Sequence, residues 1–342
     1  MMDEGARPDD NLGEVRGMRE IKEAFITFQG ILIPRTKQDY ERLVYLCYKF
    51  REAVKYATAK LHKNINITYK DLKSFVPNAW YCLDAMKIAK LFSKAKRRPR
   101  IKKLFIMSTG NKYKKGNQNI KIDLESNNVK VRDPFNKAWL NFTLKIDQRI
   151  KKYNFDHYSV RIVFSEGKIR IYIIVPFKQN TFVDGEFVAG FDFNVDRVNM
   201  VIVDKLGIIR DIRNVHFHRV TSPGFPKNKA KDIRLKALAK LLDYARDHNC
   251  GIVVFENLKF KNKTKTKSKA ANRKIHNFAC KQFLSYGINM ALRRGLRVYL
   301  VEPNNTSKKA RKIQRKLGLD IHTTAAFLLA LRFLKHYKRC SE

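Results

Sequence analysis

The chain has 342 residues, more than one hydrophobic core usually holds, so two domains or one domain with a large insertion are expected. Its 72 Lys and Arg residues against 31 Asp and Glu residues give a formal net charge of +41. Such self-repulsion predicts a polyanionic partner, with nucleic acid as the leading class and a solubility or thermal-adaptation effect as the alternative. A membrane surface is less well supported, because the basic residues are spread along the chain and no apolar run reaches the roughly 20 residues of a membrane span.

The N-terminal residues and the cysteines bear on the cellular compartment. The first residues, MMDEGARPDDNLGEVRG, are polar and acidic, so residues 1–19 are predicted to be a disordered leader and neither a signal peptide nor a transit peptide. The odd number and wide spacing of the cysteines predict free thiols and a cytoplasmic or nucleoid-associated protein without a zinc ribbon. The five cysteines are Cys47, Cys82, Cys250, Cys280 and Cys340.

The first half of the chain has the pattern of short strands around a helical segment. EAFITFQGILIP (Glu23–Pro34) is a predicted strand, and a helix is predicted to begin near Thr36, with a second helix at about 78–94. NIKIDL, NVKVRD and WLNFTLKI are predicted strands, and YSVRIVFSEGKIRIYIIVPF is a predicted hairpin that turns at Glu166 and Gly167. Residues 20–180 are therefore a predicted β-rich domain with a helical insertion at about 36–100.

The second half has a different order of elements. The predicted strands are 187–193, 199–204, 208–215, 251–256 and 297–301, and the predicted helices are 227–247, 271–294 and DIHTTAAFLLALRFLKHYKR at the end. The order is β-β-β-α-β-α-β-α, an antiparallel meander that continues into right-handed parallel crossovers. This is the ribonuclease H-like arrangement, which predicts an α/β domain for residues 181–342.

Three acids fall at positions that this arrangement would bring together. Asp192 lies in the middle of the first strand, Glu256 at the end of the fourth, and Asp320 at the start of the last helix. Three close carboxylates repel unless a cation neutralises them, and hard oxygen ligands favour two Mg²⁺ or Mn²⁺ ions, which can hold the attacking and leaving oxygens of a phosphodiester. The alternatives are an Asp192 satisfied by backbone donors, a Glu256 that only marks a strand end, and an Asp320 that caps a helix.

Stretches of the second half resemble the three RuvC motifs of TnpB proteins, transposon-encoded nucleases related to type V CRISPR effectors. The stretches are GFDFNVDRVNMVIVDKLG, GIVVFENLKF, and YLVEPNNTSK followed by LGLDIHTTAAFLLALR. The resemblance covers residue 187 to the C-terminus, and Asp192, Glu256 and Asp320 match the catalytic and metal-binding acids. The first half is similar only in layout, a β-barrel wedge domain with a helical recognition insertion.

The resemblance implies an RNA-guided endonuclease that cleaves double-stranded DNA. A guide RNA derived from the transposon end and a double-stranded DNA target are the implied partners. The chain departs from the family at two places: the zinc ribbon before the last acid is replaced by KARKIQRKLGL, and the last motif is D-I-H-T-T-A-A, two residues longer than usual. His322 in that motif is predicted to be a helix-surface residue and not a ligand.

Two basic segments are predicted to contact nucleic acid. KFKNKTKTKSKAANRK, at 259–274, has no acid and begins just after Glu256; the resemblance implies a mobile lid there, and an ordinary charged loop is the alternative. The second segment is NTSKKARKIQRK, at 305–316. The predicted nucleic-acid-binding residues are Lys259, Lys261, Lys263, Lys265, Lys267, Lys269, Arg273, Lys274, Lys308, Lys309, Arg311 and Lys312.

Other functions would use the same composition. An RNA-guided DNA-binding repressor of the same family would not need an intact trio of acids. A strand-transferring transposase would need a separate domain that binds DNA ends, and the sequence has no clear helix-turn-helix. A general RNA- or DNA-binding protein would use its charge alone and would not need acids at converging positions.

We predict that the protein holds no structural zinc, because no two of its cysteines have the spacing of a zinc-ligand pair. Elemental analysis of the purified protein is expected to give far less than one zinc per chain. About one zinc per chain would show that the segment between 305 and 320 has been misinterpreted.

Overall fold

The computed structural model describes residues 17–95, 99–114, 116–179, 181–257, 280–303 and 305–341. The chain divides into two compact units, one of Phe25–Phe177 and the other of the described residues within Met1–Ala24 and Lys178–Glu342. The strands are β1 (Met18–Ile21), β2 (Glu23–Pro34), β3 (Phe105–Ser108), β4 (Ile120–Asp123), β5 (Asn128–Asp133), β6 (Ala138–Ile146), β7 (Ser159–Ser165), β8 (Lys168–Lys178), β9 (Phe187–Phe193), β10 (Arg197–Val203), β11 (Ile209–His216), β12 (Cys250–Glu256) and β13 (Arg297–Val301). The helices are α1 (Lys37–His62), α2 (Ala79–Ser93), α3 (Lys227–Asp247), α4 (Cys280–Leu292), α5 (Thr306–Leu317) and α6 (Ile321–Ser341).

The N-terminal unit contains a seven-stranded sheet in the order β3-β7-β8-β2-β6-β5-β4. Where a β-barrel wedge domain is expected, the described residues form a sheet of seven strands in which β3 and β4 are the end strands. The hairpin between β7 and β8 turns at Glu166 and Gly167, whose φ angles of 55° and 68° are those of a tight hairpin turn. α1 and α2 bury their apolar faces in the same core as the sheet.

The helical insertion begins where its capping residues predict. The hydroxyl oxygen of Thr36 accepts a hydrogen bond from the backbone N–H of Asp39 at 3.0 Å, which satisfies a free donor of the first turn of α1. Asn78 caps α2 in the same way, with Tyr81 N–H as the donor at 3.0 Å. The apolar residues of α1 recur at helical spacing, and this stripe faces the core. Its buried residues are Leu43, Leu46, Cys47, Phe50, Ala53, Val54, Ala57 and Thr58.

The C-terminal unit has a ribonuclease H-like fold. Its sheet has the order β1-β13-β12-β9-β10-β11. β9, β10 and β11 form an antiparallel meander, and β12 and β13 continue the sheet in parallel with β9. β9, β10 and β12 are nearly continuous apolar runs because helices cover both faces of the sheet, as is typical of covered strands. The meander followed by parallel crossovers is the arrangement that the sequence predicts.

The structure differs from the sequence prediction at the N-terminal boundary. Residues 18 and 19 of the predicted leader, with the two residues that follow, form β1, which pairs antiparallel with β13 from Met18 opposite Val301 to Ile21 opposite Val298. The predicted boundaries at 20 and 180 compare with 25 and 177 in the structure. The four residues of β1 have no strand periodicity of their own, and their partner is far away in the sequence, so the pairing leaves no local signal. The first sixteen residues of the predicted leader lie outside the described residues.

α6 packs directly on β9 at Gly190. A Cβ atom at this position would lie 2.2 Å from the carbonyl oxygen of Ala326 and 3.1 Å from the Cβ of Ala330. Real Cβ atoms do not approach a backbone oxygen so closely, so only glycine allows the helix to sit at this distance from the strand. Val188 and Val254 continue the contact of the sheet with α6 on either side.

Among the described residues, no single helix is long and apolar enough to cross a membrane. α5 and α6 pass such a test only as a pair, across a bend of 106°.

We predict that Gly190→Ala lowers the free energy of unfolding by roughly 1–3 kcal/mol or more, because the added methyl group would push α6 away from β9. Urea unfolding followed by circular dichroism measures this change.

The matched control is Gly287→Ala in α4. There a Cβ would lie 3.3 Å from the tip of Leu238, a contact that a side chain can relieve, and alanine favours the helix by about 0.5–1 kcal/mol. Gly287→Ala is expected to be neutral or slightly stabilising. Equal losses for the two variants would contradict the close contact of α6 with β9.

Candidate functional site

Asp192 and Glu256 lie side by side on adjacent parallel strands. Asp192 is the last residue but one of β9, and Glu256 is the last residue of β12. Phe191 is paired with Phe255 in this ladder, so the next residue on each strand brings the two carboxylates together. Side chains alternate across a sheet, which places both acids on the face that α6 covers.

A cluster of phenylalanine rings fixes the same strand ends from the opposite face. The ring centroids of Phe191 and Phe255 are 5.3 Å apart, and those of Phe193 and Phe255 are 5.2 Å apart. Phe283 of α4 packs edge-on against Phe193 at 4.9 Å. The apolar cluster holds the backbone that carries the two acids, so their spacing does not depend on contacts between the acids themselves.

Two negatively charged carboxylates side by side in a partly buried site are electrostatically unfavourable. Burial raises the pKa of Glu256, and the negative charge of Asp192 raises it further, while a hydrogen bond from Thr306 and the charge of Arg332 oppose the shift only in part. A bound cation would favour the charged form of Glu256, so this pair has the chemistry of a cation site. Oxygen donors of this type fit Mg²⁺ or Mn²⁺.

Asp192 is satisfied by side chains. Its Oδ2 accepts a hydrogen bond from Nδ2 of Asn194 at 2.7 Å, and Nδ1 of His322 lies 3.1 Å from the same oxygen. Nδ2 of Asn194 also lies 2.9 Å from Nδ1 of His322, so the three side chains form one cluster. The pKa of His322 is raised, first by its hydrogen bond with Asp192, so the imidazolium form is favoured beside this carboxylate.

His322 thus differs from the sequence prediction. It was predicted to lie on a helix surface, and it is a half-buried neighbour of the first catalytic candidate. The signal was present in the sequence as the unusual D-I-H motif, but helical spacing alone does not show which way the first turn of α6 faces.

Asp320 caps α6. Its Oδ1 accepts hydrogen bonds from the backbone N–H of His322 at 2.9 Å and of Thr323 at 3.2 Å, and its Oδ2 accepts a hydrogen bond from the hydroxyl of Thr323. Burial alone would raise the pKa of Asp320, but the hydrogen bonds from Thr323 and His322 outweigh it and lower this pKa. The helix-cap alternative is therefore present in the structure, and both oxygens of Asp320 face donors of its own helix.

The predicted site of three carboxylates is only partly assembled. The structure brings Asp192 and Glu256 together, whereas the oxygens of Asp320 are taken by the start of α6. In the part of the chain that the structure describes, no group of three or more His, Cys, Asp or Glu side chains lies close enough to hold a metal ion. A third protein ligand would require Asp320 to exchange its capping bonds.

Thr306 and Arg332 adjoin Glu256 and were not predicted from the sequence. Thr306 lies beside Glu256 and lowers the pKa of that acid, and the hydroxyl of Thr306 accepts a hydrogen bond from Nη1 of Arg332 at 2.9 Å. The same nitrogen donates to the backbone oxygen of Glu302 at 3.1 Å. Burial lowers the pKa of Arg332, and the charge of Glu256 offsets this shift. A buried threonine and a half-buried arginine therefore adjoin the second carboxylate from α5 and α6.

The predicted nucleic-acid-binding residues divide into two sets. Lys308, Lys309, Arg311 and Lys312 lie on α5 and are exposed. The lid segment at 259–274 lies outside the described residues. Its predicted contacts are Lys259, Lys261, Lys263, Lys265, Lys267, Lys269, Arg273 and Lys274.

Comparisons with known proteins find similar chains. Residues 25–182 match the family described as the SSO2105 N-terminal domain. The SSO2105 protein of Saccharolobus solfataricus is 33% identical over 344 residues, which cover 91% of this chain and 92% of the relative. A solved Cas12f1–sgRNA–target DNA complex is similar to 85% of this chain and covers 82% of its own, with 11% identity and a TM-score of 0.44. Thermus thermophilus RuvC with a Holliday junction substrate is similar to 45% of this chain over 95% of its own, with 19% identity and a TM-score of 0.33.

We predict that Thr323→Val lowers the free energy of unfolding by about 1–3 kcal/mol, because it removes a buried hydroxyl whose hydrogen-bonding capacity is fully used. That hydroxyl donates to Asp320 and accepts from Nδ2 of Asn199 and of Asn214, each at 3.1 Å.

Thr323→Ser keeps the hydroxyl and removes one methyl group, so it should lower the free energy of unfolding by no more than about 0.8 kcal/mol. Denaturant unfolding compares the two variants with the unsubstituted protein. If the serine variant is the less stable of the two, the methyl group and not the hydroxyl stabilises the start of α6.

Proposed function

The chain belongs to the family of the Saccharolobus solfataricus protein SSO2105, and we propose that it is a metal-dependent endonuclease that hydrolyses phosphodiester bonds of DNA under the guidance of a bound RNA. The ribonuclease H-like fold supplies the scaffold, the acid pair supplies the chemistry, and the net charge of +41 supplies the affinity for nucleic acid.

The observation that carries this proposal is the placement of Asp192 and Glu256 on one face of adjacent parallel strands. A protein that only binds nucleic acid gains nothing from two neighbouring carboxylates, since they repel phosphate as well as each other. Burial raises the pKa of Glu256, and repulsion by Asp192 adds to this shift. A cation bound to the two acids would neutralise their charge, and this would explain why a strongly basic chain has two neighbouring carboxylates.

The roles of the residues follow from their contacts. Asp192 and Glu256 would hold the divalent ions, and Asn194 orients the carboxylate of Asp192 through its 2.7 Å hydrogen bond. Thr306 lies beside Glu256 and favours its charged form. When bound, one or two Mg²⁺ or Mn²⁺ ions supply charge stabilisation at the oxygens of the phosphodiester and activation of the attacking water. Asp320 as the third ligand stays a prediction.

The RNA guide accounts for the choice of the target. Contacts to phosphate position a protein on nucleic acid without selecting bases, so charge cannot explain a specific target. A bound RNA whose base pairing reads the target would supply the selection. The resemblance of the three motifs in the C-terminal unit to those of TnpB proteins supports this assignment, together with the charge of the chain.

A second candidate is an RNA-guided DNA-binding protein with weak or absent cleavage. It is favoured by one observation, the engagement of both Asp320 oxygens by the start of α6. The contact of His322 with Asp192 agrees with it, because an imidazolium beside that carboxylate occupies the place of a counter-charge. The two candidates differ in whether target DNA is cut or only bound.

We predict that Asp192→Asn and Glu256→Gln each lower DNA cleavage by roughly 10²-fold or more, since each removes a charged oxygen ligand while keeping the shape of the side chain. DNA binding should persist or become tighter, because a negative charge has been removed. Single-turnover cleavage of a plasmid target with Mg²⁺ measures the rate, and gel-shift titration measures binding.

The control is Asp247→Asn. This exposed acid ends α3 beside a cavity lined by Phe187, at the opposite end of β9 from Asp192, so its variant should cut normally. Cleavage at the unsubstituted rate in excess EDTA would overturn the metal-dependent mechanism. Tight RNA-dependent binding without any cleavage would favour the second candidate.

We predict that the cleavage site moves with the guide RNA. RNA-free protein is reconstituted with one defined RNA and a plasmid library, and then with an RNA whose guide segment is altered. The cut position, read by sequencing of the ends, should follow the new guide while the protein is unchanged. Site-specific cutting without RNA, or a cut that stays in place, would show that the protein reads DNA directly.

A further inference from the structure

The side-chain charges of α5 destabilise the helix that carries them. Six of its twelve residues are basic and none is acidic. All six are exposed, and among the described residues no Asp or Glu lies within ion-pair distance of any of them. The six basic residues are Lys308, Lys309, Arg311, Lys312, Arg315 and Lys316.

Spacing makes this arrangement unfavourable in the free protein. Lys308 is three residues from Arg311 and four from Lys312, and such like-charged neighbours on a helix destabilise it. Lys308 and Lys309 also lie in the first turn, where the helix dipole disfavours positive charge. The N-cap residue Asn305 has φ of 54°, and its side chain makes no capping hydrogen bond.

The opposite face of α5 is already occupied. Thr306 and Ala310 are buried, at 3% and 0% exposure, and Ile313 is half-buried, where the helix packs on α6. An amphipathic helix that binds a membrane must insert its apolar face among the acyl chains. The apolar face of α5 is covered, so only its basic face is available to a partner.

α5 also starts at the candidate site. Its first residue, Thr306, lies beside Glu256 and accepts a hydrogen bond from Arg332, so the helix leads away from the second carboxylate. Twelve residues of helix extend about 18 Å, over which duplex DNA carries about ten phosphates. A polyanion of this charge density would relieve the repulsion between the six cations.

We propose that α5 is a binding surface for the phosphodiester backbone of duplex DNA, which it holds next to the acid pair without reading its sequence. The inference rests on the proposed function only in taking the bound DNA as the substrate of the neighbouring site. DNA binding stabilises the helix, because it supplies negative charge that the described part of the chain does not place beside these cations.

The test compares two variants of equal charge. One replaces Lys308, Lys309, Arg311 and Lys312 of α5 with Gln, and the other replaces four exposed lysines of α3 with Gln. The four control positions are Lys227, Lys229, Lys236 and Lys240. Binding of a 30-base-pair duplex of arbitrary sequence is measured in EDTA, without RNA, over a range of salt concentrations.

The unsubstituted protein should lose affinity steeply with salt. Removing four phosphate contacts, each worth about 0.9 in the slope of log affinity against log salt, should lower that slope by about 2 to 4 for the α5 variant. The α3 variant should lose less than about 1 unit. Equal losses for the two variants would show that only total charge matters and would overturn the proposal.

Two further measurements complete the test. Without DNA, the α5 variant should melt at the same temperature as the unsubstituted protein or higher; a lower melting temperature would show that its cations stabilise the fold. Vesicles of phosphatidylserine and phosphatidylcholine serve as the alternative polyanion, and their binding with loss in the α5 variant would replace DNA with a membrane surface as partner. These experiments measure binding and thermal stability and not cleavage. They therefore test the role of α5 even if the protein is not a nuclease.

Discussion

The contact of α6 with β9 at Gly190 determines how the candidate site is built. With no side chain on the strand, the helix backbone lies directly on the sheet, and its carbonyl oxygen at Ala326 would clash with any Cβ there. From this contact, α6 reaches both acids. Its first turn places His322 against Asp192, and its fourth turn places Arg332, which donates to Thr306, near Glu256. A shift of this helix would change the surroundings of both carboxylates together.

In the described part of the chain, few hydrogen-bond donors and positive charges surround the two carboxylates of the site. Asp192 has Asn194 and His322, whereas Glu256 has Thr306 and the more distant charge of Arg332. The two acids therefore have different surroundings. Burial and the charge of Asp192 raise the pKa of Glu256, and a bound cation would favour its charged form.

Sequence reasoning predicted the fold of the C-terminal unit well because its signals are local. The bounds of β9, α3 and β13 match the predicted ones, since apolar runs and helical periodicity mark each element. The proximity of Asp192 and Glu256 followed from strand order alone. The direction of the Asp320 carboxylate could not be predicted in this way. An acid before a helix can cap the helix or bind a ligand, and its spacing in the sequence does not distinguish the two roles. α5 was not predicted as a helix, since six cations within twelve residues resemble a solvated loop.

The pairing of β1 with β13 has a consequence for the order in which the protein is made. Met18 and its partner Val301 are 283 positions apart, so a ribosome adding 5–20 residues per second produces the second strand on the order of tens of seconds after the first. During that interval β1 has no strand to join, while every strand pair of the N-terminal sheet lies within residues 23–178 and is available early. Thr306, His322 and Arg332 are synthesised later still. The acid pair therefore acquires its neighbours only after nearly all of the sheet exists, and the nascent chain carries both carboxylates without those neighbours while the 76 residues that follow Glu256, up to Arg332, are added.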